Sequence, residues 1–168
     1  MIKKIRHVEI AGAGFAGLTA AAALAQRGWS VRVHEMGDRL RTAGAGIYIY
    51  ENGLKVFEAV GAYEAATRDA FPGRAREMRD DTNTTVARIE WIPGGALRMY
   101  SIVRQNCIDA LAEAATRAGA EIVTGSEVAG AHSHGELILR NGRRLKADLV
   151  VGADGVGSPT RDSLGLVK

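Results

Sequence analysis

The sequence predicts an α/β fold that opens with a parallel β-sheet, and three consecutive stretches carry this prediction. Residues 7–11 are predicted to form a short buried strand, and residues 16–27 are rich in alanine with apolar side chains at helical spacing. Residues 29–35 then alternate as a strand does, with Val31 and Val33 on one face. Together they form a β-α-β unit, the building block of parallel sheets.

The rest of the chain adds two helices and a segment of antiparallel strands. Apolar side chains at helical spacing predict helices over residues 52–60 and 106–118. Turn residues interrupt residues 71–100, which indicates antiparallel strands at 75–78 and 86–91 and a turn at Pro93-Gly94-Gly95. The remaining pattern predicts a strand, a hairpin turning at Asn141-Gly142 and a last buried strand, over residues 121–124, 136–145 and 148–152 respectively.

Composition limits the possible partners and compartment. The 168 residues have the size of one domain, and the net charge of +3 is not concentrated in a basic block. We therefore expect neither nucleic acid nor a membrane as a partner. The N-terminus lacks the apolar stretch of a signal peptide and no run of 18 apolar residues occurs, so a cytoplasmic protein is expected. The single cysteine, Cys107, fits a reducing compartment and is expected to be a buried apolar residue.

A glycine fingerprint links the first strand to the first helix. Gly12, Gly14 and Gly17 form G-x-G-x-x-G, and the acidic Glu35 ends the second strand. In this pattern the first glycine permits a tight turn, the second lets a pyrophosphate approach the backbone, and the third lets helix and strand pack closely. The helix N-terminus offers N–H groups to the phosphates, and Glu35 would accept hydrogen bonds from a ribose diol. The sequence thus predicts a Rossmann-like dinucleotide-binding unit, which by itself does not distinguish FAD from NAD.

A second glycine-rich turn follows the last predicted strand. It contains Asp154 and Gly155, so a carboxylate lies at the carboxyl end of a strand, where open α/β sheets bind ligands. Asp-Gly is also common in ordinary turns. Taken alone, this segment leaves both interpretations open.

In combination, these motifs resemble the FAD-dependent aromatic hydroxylases of the p-hydroxybenzoate hydroxylase fold. Asp154-Gly155 is similar to the Asp-Gly motif of that family, and Arg104 resembles its FAD-contacting arginine at a strand-to-helix junction. Residues 39–47 resemble its arginine- and glycine-rich loop beside the flavin, in which Arg41 is the better candidate for an FAD contact. Residues 34–35 and 44–48 most resemble the members that oxygenate hydroxypyridine carboxylates.

The resemblance implies FAD as the cofactor and NADH or NADPH as the electron donor. In that family O2 reacts with reduced FAD to give a flavin C4a-hydroperoxide, which hydroxylates a small aromatic or N-heteroaromatic acid. A homodimer is a further expectation. Met36 departs from the arginine or lysine that many relatives carry near the adenosine. The implied FAD contacts are Gly12, Ala13, Gly14, Phe15, Ala16, Gly17, Glu35, Met36, Arg41, Ala45, Arg104, Val128, Asp154 and Gly155.

Few other residues indicate chemistry. No side chain is assigned an acid-base role, and Tyr48 is the one candidate for a residue of the substrate pocket. His132-Ser133-His134 fall in a predicted loop without acidic or cysteine neighbours at ligand spacing, so no metal site is expected.

The resemblance also divides the chain. Residues 1–70 and 101–168 are assigned to an FAD-binding domain, and residues 71–100 begin the sheet of a substrate domain. Because the family's second Gly-Asp motif has no counterpart after Arg161, we expect an N-terminal part of a longer enzyme that is not competent alone. Alternatives are an amine-oxidase-type enzyme, although its Gly-Gly-Arg stretch is missing, a halogenase, although its tryptophan motif is not visible, and an inactive nucleotide-binding fragment.

Overall fold

The structure is a computed structural model that describes residues 5–41, 44–90 and 97–165. Several predicted features lie outside the described residues: Thr42 and Ala43 of the glycine-rich loop, Trp91, the Pro93-Gly94-Gly95 turn, and the first four and last three residues of the predicted domain. In chain order the elements are β1 (His7–Ala11), α1 (Phe15–Ala25), β2 (Ser30–His34), β3 (Gly46–Tyr50), α2 (Glu51–Val60), α3 (Tyr63–Thr67), β4 (Phe71–Pro72), β5 (Ala75–Arg79), β6 (Thr85–Glu90), β7 (Met99–Val103), α4 (Arg104–Arg117), β8 (Glu121–Val123), β9 (Val128–His132), β10 (Glu136–Leu139), β11 (Arg144–Lys146), β12 (Leu149–Gly152) and α5 (Pro159–Ser163).

A four-stranded parallel sheet forms the centre of the fold, with the strand order β12-β1-β2-β8. Val8 and Ile10 of β1 and Val33 of β2 are fully buried in the core that this sheet forms with α1 and α4. Alanine-rich α1 packs closely because its buried side chains are small, and it ends shortly before Gly28, whose φ of +78° is a left-handed conformation. The predicted α/β fold with a parallel sheet is confirmed.

A three-stranded antiparallel sheet, β3-β7-β4, flanks this core. Side chains alternate across it, so Ile47, Ile49 and Ile102 pack inward. Tyr48 and Phe71, which both pair with Ser101, face the other side. Strand β7 runs across the predicted domain boundary at residues 100–101 and leads directly into α4. Strand β3 holds Tyr48 on the outer face of this sheet.

Two further antiparallel sheets complete the structure. Strands β5 and β6 form the predicted hairpin of the 71–100 segment. Sheet β11-β10-β9 covers Ala11 on the second face of the parallel sheet. The prediction placed His132-Ser133-His134 in a loop. The structure corrects this for His132, which ends β9 because it pairs with Glu136, while Ser133 and His134 form the turn. Within the described residues, no helix has the length and apolar character needed to cross a membrane.

Candidate functional site

The glycine fingerprint forms a turn between β1 and α1 in which the three glycines have different surroundings. Gly12 has a φ of +93°, and a Cβ there would lie 2.4 Å from the Ala153 carbonyl oxygen. A Cβ at Gly17 would lie 1.9 Å from the Gly12 carbonyl oxygen, whereas a Cβ at Gly14 would have no atom within 4 Å. The close packing of the protein thus requires Gly12 and Gly17, and Gly14 faces open space. Since no side chain caps α1 at Gly14, the first N–H groups of the helix are available to a phosphate.

Glu35 follows β2 directly, and its carboxylate lies against the glycine turn. The Ala13 N–H donates to Oε2 at 3.1 Å, and the Gly37 N–H donates to Oε1 at 2.9 Å. Two backbone donors therefore fix the carboxylate beside the turn, while each oxygen keeps a lone pair for a further donor such as a ribose hydroxyl.

A buried network of polar side chains links the end of β2 to β1 and to Ser126. Glu9 and His34 are 2% and 3% exposed, and the His34 Nε2 lies 2.7 Å from Glu9 Oε2. Because a carboxylate only accepts, Nε2 donates, and Nδ1 lies 2.8 Å from the Ser126 hydroxyl. Burial alone raises the pKa of Glu9, but hydrogen bonds from His34 and His7 and the charge of Arg32 together hold this pKa below its ordinary value. The network fixes the backbone from which Glu35 projects.

The Asp154 carboxylate orders the second glycine turn. The Ser158 hydroxyl donates to Oδ1 at 2.5 Å and the Thr160 N–H donates to Oδ2 at 3.0 Å. Burial raises the pKa of Asp154, but these hydrogen bonds outweigh it, so the pKa lies below its ordinary value. Gly155 has a φ of +85°, and a Cβ there would meet no atom within 4 Å. The carboxylate thus shapes the turn, and Gly155 leaves its surface open.

These elements enclose a cleft of about 480 Å³ at the carboxyl end of the parallel sheet. Seven of the predicted contacts line it: Gly12, Gly14, Glu35, Met36, Val128, Asp154 and Gly155. The cleft is also lined by six residues that were not predicted from the sequence: His34, Glu127, Arg140, Ala153, Gly157 and Pro159. Five of them are close in sequence to a predicted contact, namely to Glu35, to Val128 or to the Asp-Gly turn. Arg140 has no such neighbour, because it reaches the cleft from the end of β10.

Arg104 lies at the junction of β7 and α4, as predicted. Its N–H donates to the Ala45 carbonyl at 3.2 Å, and its guanidinium carbon lies 5.7 Å from the centre of the Phe15 ring. Its Nε is buried and has no hydrogen-bond partner among the described residues. A buried guanidinium nitrogen without an acceptor is costly, and a phosphate or hydroxyl oxygen would satisfy it. Arg104 therefore brings the predicted contacts Phe15 and Ala45 together at the start of α1.

The remaining predicted residues lie at the edge of this arrangement or away from it. Ala13 is buried and donates to Glu35, and Ala16 is exposed in the first turn of α1. Arg41 is exposed and does not line the cleft. Tyr48 is 64% exposed and lines a separate cavity. Within the ranges that the structure describes, no group of three or more His, Cys, Asp or Glu side chains could hold a metal ion.

Comparison with known proteins identifies the family. The FAD binding domain family matches residues 6–167. The chain belongs to this FAD-binding family. The glycine turn, the open surface at Gly14 and the unpartnered Arg104 Nε fit such a cofactor.

Relatives of this FAD-binding domain include several monooxygenases. It is 43% identical to 2-heptyl-3-hydroxy-4(1H)-quinolone synthase of Mycobacteroides abscessus, covering 95% of the chain and 43% of that protein. It is 32% identical to 3-amino-4-hydroxybenzoate 2-monooxygenase of Streptomyces cremeus, covering 98% and 43%. Crystal structures of 2-methyl-3-hydroxypyridine-5-carboxylic acid oxygenase match with a TM-score of 0.88 and 44% identity, over 95% of the chain and 42% of the structure. The predicted resemblance to this group is confirmed, and the chain spans less than half the length of each relative.

Proposed function

We propose that this domain is the FAD-binding part of an NADH- or NADPH-dependent monooxygenase that hydroxylates a small aromatic or N-heteroaromatic acid. The observation that carries the FAD part of the proposal is the buried Arg104 Nε, which has no partner among the described residues, on a side chain that packs over Phe15 at the start of α1. A cofactor oxygen there would complete its hydrogen bonding.

Different residues of the chain would bind different parts of FAD. Glu35 would bind the adenosine ribose, the N–H groups that follow Gly14 would bind the pyrophosphate, and Arg104 would bind an oxygen further along the cofactor. Asp154 and Gly155 would form the opposite wall. When bound, FAD would supply hydride-accepting and O2-activating chemistry, while the protein would orient the cofactor and exclude water.

The outer face of sheet β3-β7-β4 is the proposed side for the substrate, with Tyr48 as a pocket residue. We retain residues 71–100 as the beginning of a substrate domain and residues 1–70 and 101–168 as the FAD-binding domain. Association of at least two copies is also proposed, and one related oxygenase structure is described as a tetrameric form.

The names of the relatives support an oxygen-substituted aromatic ring, and two of them support an acid. They contain a hydroxypyridine carboxylate, an aminohydroxybenzoate and a hydroxyquinolone, all planar rings with an oxygen substituent. Two of the three carry a carboxylate, and two contain a ring nitrogen.

Substrate-stimulated NADH or NADPH oxidation by the intact protein with FAD tests this function. Hydroxypyridine and hydroxybenzoate acids form the panel, and at least one is expected to raise the oxidation rate and to gain one oxygen atom from labelled O2. If no acid stimulates oxidation, the proposed function is wrong. A halogenated product that requires halide, or oxidation of amines without a nicotinamide, would instead favour one of the alternative flavoenzyme classes.

A further inference from the structure

A second cavity, of about 720 Å³, lies on the outer face of sheet β3-β7-β4. Ser101 of β7 lies between Tyr48 of β3 and Phe71 of β4, which pair with it from the two neighbouring strands. Tyr50 of β3 lies opposite Met99 of β7. The wall that these side chains form consists of two tyrosines, a phenylalanine, a methionine and a serine. Such a wall suits a flat ring, which packs against aromatic faces.

The charges that line this cavity are all of one sign. Arg74 and Arg76 contribute to its lining, and no aspartate or glutamate does. Neither arginine makes an ion pair or a hydrogen bond among the described residues, and every acidic residue of the chain falls within those residues. The cavity therefore carries two positive charges that no carboxylate of the described residues balances.

The neighbouring arginines differ, since each of them is paired. Arg79 donates to Glu77 at 2.7 Å, Arg88 pairs with Glu77 and Glu90, and Arg98 donates to Glu51 at 2.8 Å. Among the described residues, these three neighbouring arginines are all paired with carboxylates, whereas Arg74 and Arg76 are not.

Strand pairing in the β5–β6 hairpin explains why Arg76 lies apart from the carboxylates of the same hairpin. Glu77 lies opposite Arg88, so the ion pairs occupy one face of the hairpin. Arg76 lies opposite Ile89, and on the same face Met78 lies opposite Ala87, so this face has no acidic side chain. The alternation of a strand thereby directs Arg76 away from the carboxylates of its own hairpin.

We propose that Arg74 and Arg76 bind the carboxylate of an aromatic acid whose ring packs against Tyr48 and Phe71. Guanidinium groups bind carboxylates through charge-assisted and often bidentate hydrogen bonds, and both arginines are exposed and therefore accessible to a ligand. The inference rests on the proposed function, in which this cavity receives the substrate, and it assigns the acid group of that substrate to two residues.

The test compares an acid with its neutral isostere in the intact FAD-loaded protein. Dissociation constants for 3-hydroxybenzoate and 3-hydroxybenzamide are measured from changes in the flavin absorption spectrum. The wild type is expected to bind the acid at least about tenfold more tightly than the amide, as one charge-assisted contact provides. The double variant Arg74→Gln/Arg76→Gln should lose this preference by weakening the acid alone, and Arg74→Lys/Arg76→Lys should keep part of it. Arg79→Gln, on the other face of the hairpin, is the matched control and should leave both constants unchanged.

Three results would overturn the inference: equal binding or no binding of acid and amide by the wild type, equal weakening of both ligands in the double variant, or loss of the preference in Arg79→Gln. NADH and NADPH oxidation, measured in parallel, separates this inference from the proposed function. Preferential acid binding without stimulated oxidation by any ring supports the arginine site and removes the monooxygenase proposal. Hydroxylation of a ring by a protein that binds acid and amide equally supports the monooxygenase proposal and removes the arginine site.

Discussion

Gly14→Ala and Gly17→Ala should differ in their effect on stability, although the two glycines belong to one motif. A Cβ at Gly17 would lie 1.9 Å from the Gly12 carbonyl oxygen, so the helix must move away from the turn. Forced overpacking of this kind costs about 1–3 kcal/mol or more of the free energy of unfolding. A Cβ at Gly14 meets no protein atom within 4 Å, so Gly14→Ala should cost less than about 1 kcal/mol, the usual loss at a helix N-cap. It would, however, occupy the space through which the pyrophosphate approaches the backbone.

Urea unfolding of the apoprotein and fluorescence titration with FAD measure the two effects separately. Gly17→Ala should lower the free energy of unfolding and FAD binding together. Gly14→Ala should leave unfolding nearly unchanged and weaken FAD binding at least about tenfold, which corresponds to roughly 1.4 kcal/mol. Gly28→Ala lies far from the cleft and, because the φ of +78° at Gly28 strains any side chain, should lower the free energy of unfolding without changing FAD binding, so it controls for a loss of stability alone. If Gly14→Ala binds FAD as tightly as the wild type, the assignment of the pyrophosphate to this turn is wrong.

Three other predictions follow from the site. Glu35→Gln should weaken FAD binding about tenfold in the same titration, since the ribose loses a charged acceptor. The depressed pKa of Glu9 stabilises the fold above its ordinary value of 4.5, and this stability is lost as pH falls through the folded pKa. Glu9→Gln should therefore cost about 1–3 kcal/mol at neutral pH and flatten the loss of stability in acid, as measured by urea unfolding; an unchanged acid profile would contradict this. Burial raises the pKa of Cys107 to about 11, so a thiol reagent should label it only after unfolding, and rapid labelling of the folded protein would refute its buried position.

Local sequence patterns predicted the part of the site that β1, α1 and β2 form. The glycine turn, α1 and the acid after β2 are set by residues close together in sequence, and the predicted helix 16–27 differs from α1 (Phe15–Ala25) by at most two residues at either end. Gly14 takes the N-cap position and Gly28 the left-handed conformation that such residues favour. These features need no knowledge of distant parts of the chain.

Distant pairing determined what the sequence did not reveal. Arg140 reaches the cleft because β10 pairs with β9, and Glu127, to which Arg140 donates at 2.7 Å, comes from the turn before β9. Tyr48 lies on an outer face because β3 pairs with β7, more than fifty residues later. Side-chain alternation predicts a strand but not its partner, so neither position was evident from local pattern.

Titration of the intact protein with FAD, compared between wild type and Arg104→Gln, tests the central claim most directly. The wild type is expected to shift the flavin absorption spectrum at micromolar FAD, and Arg104→Gln to weaken binding at least about tenfold because a buried charge-assisted hydrogen bond is lost. Absence of a spectral shift at tens of micromolar FAD, or equal affinity in the variant, would contradict the proposal that Arg104 and the glycine turn hold the cofactor.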